Sequence, residues 1–195
     1  MRNQQQRQQI AETAARIMAQ ESLDDFKLAK QKAVARLGLS QSRNLPDNQE
    51  IEQALHTYQK LFYGQEQSQW LTQQRHTALQ AMKMLQSFEP CLVGKVLSGT
   101  SHEYSTISLH VFCDTQEEIA WLLMEQNIPY EISERLYPGI ERKYPCYRFM
   151  AGETRLSLTV FPYAEKRQAP PDPVTGKPMQ RMTEKKLKEM IVENG

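Results

Sequence analysis

Apolar residues in the first half of the chain recur every three to four positions. That spacing puts them on one side of an α-helix and predicts amphipathic helices. The first helix is expected from about Asn3 to Glu21, and three more follow before Pro90. Their apolar positions are Ile10, Ala14, Ile17 and Met18; Phe26, Ala29, Ala33 and Leu37; Ile51, Leu55, Tyr58 and Phe62; and Trp70, Leu71, Leu79, Met82 and Leu85. The N-terminal half is therefore predicted to be entirely helical.

Capping residues, glycines and prolines mark the ends of these helices. Ser22 and Asp24 offer side-chain oxygens at the start of the second helix, and Gly38 is placed to end it. The other predicted bounds are a loop over Leu39 to Asp47, a third helix from near Asn48 to Gly64, and a fourth from about Gln67 to Phe88.

After Pro90 the apolar residues alternate with polar ones, which is typical of β-strands. One helix, Thr115 to Gln126, interrupts them and starts with the capping-box pattern Thr-Gln-Glu-Glu. Pro138-Gly139 and Gly152-Glu153 predict turns, so the last three strands should form an antiparallel meander. The predicted strands are Cys91–Leu97, Thr106–Cys113, Tyr130–Leu136, Tyr144–Ala151 and Thr154–Phe161.

These elements predict an α+β fold, a mixed, largely antiparallel sheet of about five strands with packed helices, preceded by an all-helical N-terminal half. The predicted division is 1–89, 90–162 and 163–195. Pro162 to Met182 is rich in proline, which has no backbone donor, and is expected to be an extended connection without regular structure. A short helix from Thr183 to Asn194 should follow and pack through Leu187, Met190 and Ile191.

Composition argues against several classes of protein. Lys and Arg number 24 and Asp and Glu 23, and a net charge of +1 does not suit a nucleic-acid binder with a dominant basic surface. Mean hydropathy is −0.66, and we expect neither a membrane span nor a secretory signal. Cys91, Cys113 and Cys146 lie in apolar segments without Cys-x-x-Cys spacing, which indicates buried, reduced thiols. We therefore expect a cytoplasmic protein.

Residues 94–112, GKVLSGTSHEYSTISLHVF, contain the clearest functional pattern. An apolar segment ends at Gly94-Lys95, a loop containing Gly99-Thr100 follows, and an alternating strand then carries Thr106 and Ser108. This order resembles the active-site segment of the nucleotidyltransferase superfamily, the polymerase-β-like fold. There a strand ends in Gly-Ser, and the strand after the loop carries Asp-x-Asp. The chain looks like a divergent member, similar to a family of uncharacterised bacterial proteins.

The resemblance implies a scaffold without the metal-binding carboxylates of that superfamily. Thr106 and Ser108 stand at the two aspartate positions, and the later strand expected to supply a third acid offers Ser157 and Thr159. Neutral hydroxyls do not hold a pair of hard divalent cations, which proteins bind mainly through carboxylates. We therefore expect no Mg²⁺, no other cofactor and no catalytic residue, and a protein that acts by binding.

The expected ligand is a nucleotide or the phosphate of a nucleic acid. Backbone N–H groups of a glycine-containing loop can approach phosphate closely, and a lysine adds positive charge. The predicted contacts are Gly94, Lys95, Gly99, Thr100, Ser101, Thr106 and Ser108. Ile107, Leu109 and Val111 should be buried, while Thr106, Ser108 and His110 line a polar cleft.

Two other functions are compatible with the sequence. In an active nucleotidyltransferase, Glu103, Asp114 or Glu153 would act as displaced carboxylates. In a DNA-binding regulator, residues 11–39 would form a helix-turn-helix, since they resemble one in outline. Its second helix would present Lys27, Lys30, Lys32 and Arg36, although Asp24 and Asp25 at the start of that helix would repel DNA.

Two smaller groups of residues leave alternatives open. His102, Glu103 and His110 are compatible with a single metal ion, but ordinary surface or half-buried histidines are the simpler interpretation. The proline-rich stretch carries Lys166, Arg167, Lys177 and Arg181. We expect it to be an arm that contacts a protein partner or an anionic ligand, since extended proline-rich segments lose little entropy on docking.

Overall fold

The computed structural model describes residues 2–23, 25–39 and 44–193, which form seven α-helices and six β-strands. The chain divides into two compact units, Met1–Ser68 and Gln69–Gly195. Within the described ranges, no helix combines the length and the apolar character that crossing a membrane requires. The elements are α1 Arg2–Gln20, α2 Phe26–Arg36, α3 Asn48–Phe62, α4 Gly64–Met84, β1 Cys91–Val93, α5 Lys95–Ser98, β2 Ile107–Phe112, α6 Glu117–Glu125, β3 Tyr130–Tyr137, β4 Ile140–Ala151, β5 Thr154–Phe161, β6 Met182–Thr183 and α7 Glu184–Glu193.

The first unit has its own core, built from α1, α2 and α3. Small and aliphatic side chains let these helices approach closely. A polar contact also links α1 to α3, since the Arg7 Nε–H donates to Glu50 Oε1 at 2.7 Å. The helical prediction for this region is confirmed. The buried side chains are Ile10, Ala11, Ala14, Ala15, Ile17, Met18, Ala29, Ala33, Ile51 and Leu55.

Three local predictions in this unit need correction or fall outside the described residues. The side chain of Asp25 caps α2 by accepting from the backbone N–H groups of Lys27 and Leu28, and the predicted capping residue Asp24 lies outside the described ranges. Residues 40–43, which belong to the predicted loop from Leu39 to Asp47, also lie outside them. Phe62 was expected to face inward but is 67% exposed. The buried face of α3 continues from Ile51 and Leu55 to Gln59, four residues apart each time, which leaves Phe62 on the other side.

The second unit is built on a sheet with strand order β3-β4-β5-β2-β1-β6. Strands β2 and β5 pair in parallel, and all the other neighbours pair antiparallel. The predicted α+β class with a mixed, largely antiparallel sheet is confirmed, as is the meander of β3, β4 and β5. The short sixth strand, Met182–Thr183, was not expected.

The first predicted strand, Cys91–Leu97, is wrong beyond Val93. Gly94 has φ 72° and ψ −151°, a conformation that only glycine adopts readily, and it ends the strand. The chain then makes one helical turn, α5, in which the Ser98 N–H donates to the Gly94 carbonyl at 2.9 Å. The residues that follow Gly94 therefore leave the sheet.

Two further predictions in the second unit are also wrong. Gln116, not Thr115, precedes α6, and no side chain caps this helix, so the expected capping box does not form. The proline-rich stretch is not structureless, since the Asp172 side chain accepts from the N–H of Val174 and of Thr175. Its prolines 171 and 178 form an isolated bridge, so that the stretch doubles back on itself.

One face of the sheet packs against helices. Ile107, Leu109 and Val111 are fully buried there, as predicted from their alternation. Among the buried side chains from helical segments on this face are Ala78, Ala81, Met82, Leu85, Ile119, Leu123 and Leu187. The last turns of α4 therefore belong with the sheet, within the compact unit Gln69–Gly195.

The opposite face of the sheet is covered at one end by the proline-rich stretch. Met179 and Ala169 from that stretch pack on aromatic side chains of β2, β3, β4 and β5. This second cluster comprises Cys91, Val93, Phe112, Tyr137, Tyr144, Phe161 and Met179. The rest of this face carries the residues of the candidate site.

Candidate functional site

Three hydroxyl residues come together on this second face. Ser108 on β2 pairs in register with Ser157 on β5, and residues in register on adjacent strands point to the same side. Thr106 precedes β2 by one residue, and the alternation of the strand puts it on the side of Ser108. These positions correspond to the carboxylates that the resemblance leads one to expect, and each of them carries a hydroxyl.

Gly94 lies directly against Ser108. A Cβ atom built on Gly94 would be 3.8 Å from the Ser108 Cβ, so the backbone passes over the serine at van der Waals distance. Gly94 is exposed, Ser108 is half-buried, and Lys95 follows as the first residue of α5. Four of the predicted ligand contacts are thus at least partly accessible to solvent, namely Gly94, Lys95, Thr106 and Ser108.

The other predicted contacts are turned toward the interior of the loop. The N–H groups of Gly99 and Thr100 both donate to the Lys95 carbonyl, at 2.9 and 3.1 Å. The Thr100 hydroxyl lies 2.9 Å from that of Ser98, and Ser101 is fully buried. These three residues shape the turn after α5, while Gly94 and Lys95 form its surface.

A buried glutamine holds the loop that follows. Gln74 is 3% exposed, and its Nε2 donates to the His102 carbonyl at 2.8 Å. The Ser105 hydroxyl accepts from the His102 N–H at 2.9 Å. Sequence reasoning missed Gln74, although the signal is present, because a polar residue stands between Leu71 and Ala78 on the apolar stripe of α4.

The carboxylates that an active enzyme would need lie in three different connecting segments of the fold. Asp114 accepts from the Tyr163 N–H at 3.2 Å, Glu103 is exposed in the loop after α5, and Glu153 is exposed in the turn between β4 and β5. Within residues 2–23, 25–39 and 44–193, no three His, Cys, Asp or Glu side chains lie close enough to hold a metal ion.

His110 is fully buried, which corrects the expectation of a surface or half-buried histidine. Its Nδ1 accepts from the Arg181 Nε–H at 3.0 Å, which assigns the ring proton of a neutral imidazole to Nε2, 2.9 Å from the Tyr137 hydroxyl. Burial, and then the nearby Arg181 charge, lower the pKa of His110 well below its ordinary value. His110 is therefore not available to line the predicted polar cleft.

Arg181 reaches this position from the proline-rich stretch. Its guanidinium lies 4.9 Å from the ring centre of Phe112 and 5.0 Å from that of Phe161, and its Nη1 donates to the Lys166 carbonyl at 2.8 Å. Burial lowers the pKa of Arg181. The sequence identifies Arg181 only as one of four cations in the stretch, since nothing in the local pattern predicts its contact with β2.

The basic residues of α2 do not form a uniform cationic row. Lys32 is ion-paired with Glu21, and Lys30 is half-buried, with a pKa lowered by burial. Asp25 stands at the N-terminal end of the helix as its cap. This arrangement gives no particular support to DNA recognition by α2.

Comparison with known proteins gives no family for this chain. No protein-family model matches it, and no curated protein matches its sequence. We therefore infer function from the geometry of the site.

Proposed function

We propose that this protein is a catalytically degenerate nucleotidyltransferase-like protein that binds a nucleotide or the phosphate of a nucleic acid. The observation that supports this most is the position of Ser108, beside Ser157 on a parallel strand and against the Gly94 backbone. A bound phosphate would lie over Gly94 and Ser108, with Lys95 next to it.

The residue types at this site favour binding over transfer. A serine or threonine hydroxyl can donate a hydrogen bond to a phosphate oxygen, and it carries no charge that would repel one. Aspartates in the same positions would repel phosphate unless cations lay between them. Lys95 contributes one positive charge beside the hydroxyls, and hydrogen bonds from charged donors to phosphate are the stronger ones.

Titration calorimetry with ATP, with and without Mg²⁺, tests the proposal. We expect binding that persists in EDTA and that weakens about tenfold in Lys95→Ala, since a hydrogen bond to a charged group contributes about 1.5–3 kcal/mol. Lys83→Ala, which removes an exposed lysine from α4, is the matched control and should bind like the wild type.

Two results would contradict this function. The absence of ATP binding by the wild-type protein at millimolar concentration would exclude the proposed site. Transfer of label from radioactive ATP to RNA or protein, lost in Glu103→Gln, Asp114→Asn or Glu153→Gln, would identify an active enzyme instead.

We also propose a cytoplasmic location. Cys91, Cys113 and Cys146 are all buried and free, and such thiols are typical of reducing compartments. Burial raises the pKa of Cys113 to about 11, which suppresses the reactive thiolate. Cell fractionation tests the location, and recovery of the protein from a membrane or secreted fraction would contradict it.

A further inference from the structure

Two arginines flank the hydroxyl residues on the open part of the sheet face. Arg148 on β4 pairs in register with Ser157 on β5, and Arg155 precedes Ser157 by two residues on the same strand. Side chains two residues apart on a strand point to the same side, as do residues in register. Arg148, Arg155, Ser157 and Ser108 therefore belong to one surface.

The two arginines are close enough to act on one ligand. They are diagonal neighbours of an antiparallel pair, a relation in which Cα atoms lie about 7–8 Å apart and long side chains can meet. Across the strands, Arg148 on β4 is paired with Ser157 on β5, which is in turn paired with Ser108 on β2. The same register puts Arg155 on β5 next to Thr106. The cations thus adjoin the hydroxyls of the proposed site.

Neither guanidinium is neutralised within the described part of the chain. Both side chains are exposed, and neither makes a hydrogen bond or an ion pair with another described residue. Their neighbours on β4 differ in this respect, since Arg142 is paired with Glu165 and Lys143 with Glu134. Glu131, opposite Arg148 on β3, makes no ion pair with it. Two adjacent unpaired cations repel each other, and an anion bound between them would remove that repulsion.

We propose that Arg148 and Arg155, together with the hydroxyls of Thr106 and Ser108, bind the phosphate chain of a nucleoside triphosphate without a metal ion. The planar guanidinium is the side chain best suited to phosphate, because it presents two parallel N–H donors. Ser157, whose hydroxyl lies 3.0 Å from the Cys146 Sγ, forms the floor of the site. This inference rests on the proposed function and adds the residues that carry the charge.

The surroundings favour a short, highly charged ligand over a long nucleic acid. A strand of RNA or DNA needs a continuous basic path for its successive phosphates. Here the exposed Glu131 lies opposite Arg148 on β3, the exposed Glu153 precedes Arg155 by two residues, and the net charge of the whole chain is only +1. A triphosphate concentrates its charge over a few bonds and is therefore the ligand that this small cationic surface suits.

Calorimetry in EDTA with ATP, inorganic tripolyphosphate and adenosine tests the inference on the full chain. Arg148→Ala and Arg155→Ala should each weaken ATP binding by about tenfold to a hundredfold, as loss of a charged donor to phosphate usually does. Tripolyphosphate should bind through the same arginines, and adenosine alone should not bind. Lys143→Ala, which removes an exposed cation from the same strand on the opposite face, should leave the affinity unchanged. Unchanged circular dichroism and melting temperature would show that the variants remain folded.

The possible outcomes separate this inference from the proposed function. If the wild type binds ATP and both arginine variants bind it equally well, the arginine site is wrong and the proposed function stands. If the wild type does not bind ATP, both fail. A requirement for Mg²⁺ would overturn the metal-free site, and arginine-dependent binding of single-stranded RNA that is tighter than that of ATP would overturn the triphosphate assignment.

Discussion

His110 shows how tertiary neighbours set the chemistry of a single residue. Histidine is the side chain whose ordinary pKa lies nearest to physiological pH, and an exposed one gains its proton at about pH 6.5. Here both ring nitrogens have partners, and Arg181 donates to one of them. A protonated ring would have to give up that contact and would lie beside a second positive charge. The folded state therefore holds His110 neutral.

The lowered pKa of His110 predicts that this unit loses stability in mild acid. Between the ordinary value of 6.5 and the lower folded value, the unfolded chain binds a proton that the folded chain does not. The free energy of unfolding should therefore be fully retained above about pH 6.5 and fall below it, by up to about 1.4 kcal/mol per pH unit. Urea unfolding from pH 8 to pH 5 measures this through tryptophan fluorescence, since Trp70 and Trp121 both lie in the second unit.

The control separates His110 from other titrating groups. His110→Gln should lose much of the decline between pH 6.5 and pH 5, whereas His76→Gln, at an exposed position on α4, should keep it. An equal decline in the wild type and in His110→Gln would mean that another group causes the pH dependence.

At the scale of elements, the turn from β1 to α5 was the hardest to predict. Val96 and Leu97 continue an apolar run that suits a strand or a short helix equally well. Gly94 decides between them through its positive φ, which ends the strand and starts the helical turn. By contrast, Ile107, Leu109 and Val111 recur at every second position of β2, and their burial was predicted correctly.

Strand β2 permits a direct test of whether its hydroxyls occupy a vestigial site. Thr106 and Ser108 are only half-buried, so the double variant Thr106→Asp/Ser108→Asp should fold. Two added carboxylates on one face should also create Mg²⁺ affinity, seen as a rise in melting temperature with millimolar MgCl₂ that the wild type does not show. If the double variant fails to fold, the two hydroxyls are structural residues of the core.

At the scale of the whole molecule, each of the two units has a separate buried core. In the second unit, the chain after β5 returns to the sheet and covers the aromatic end of its second face. Arg181 secures this return through the two aromatic rings, His110 and the Lys166 carbonyl. The stretch expected to be a partner-binding arm thus also has a structural role.

Replacing Arg181 should therefore destabilise the second unit. Arg181→Met keeps part of the apolar contact but leaves His110 Nδ1 buried without a donor, and we expect a loss of about 2–4 kcal/mol. Arg167→Ala removes an exposed cation from the same stretch and should change stability by less than about 0.5 kcal/mol. Urea unfolding compares the two, and equal stabilities would show that Arg181 does not hold the stretch in place.

The sequence by itself determined the helical first half, most of the strands and the α+β class, because the period of burial depends on consecutive residues. Only the tertiary structure decided which distant residues meet. The parallel pairing of β2 with β5 brings Ser108 beside Ser157, and β4 adds Arg148 to them. Arg181 likewise reaches His110 across 71 positions of the chain. Such contacts depend on how strands pair and how a segment folds back, and a local pattern of polar and apolar residues contains no information on either.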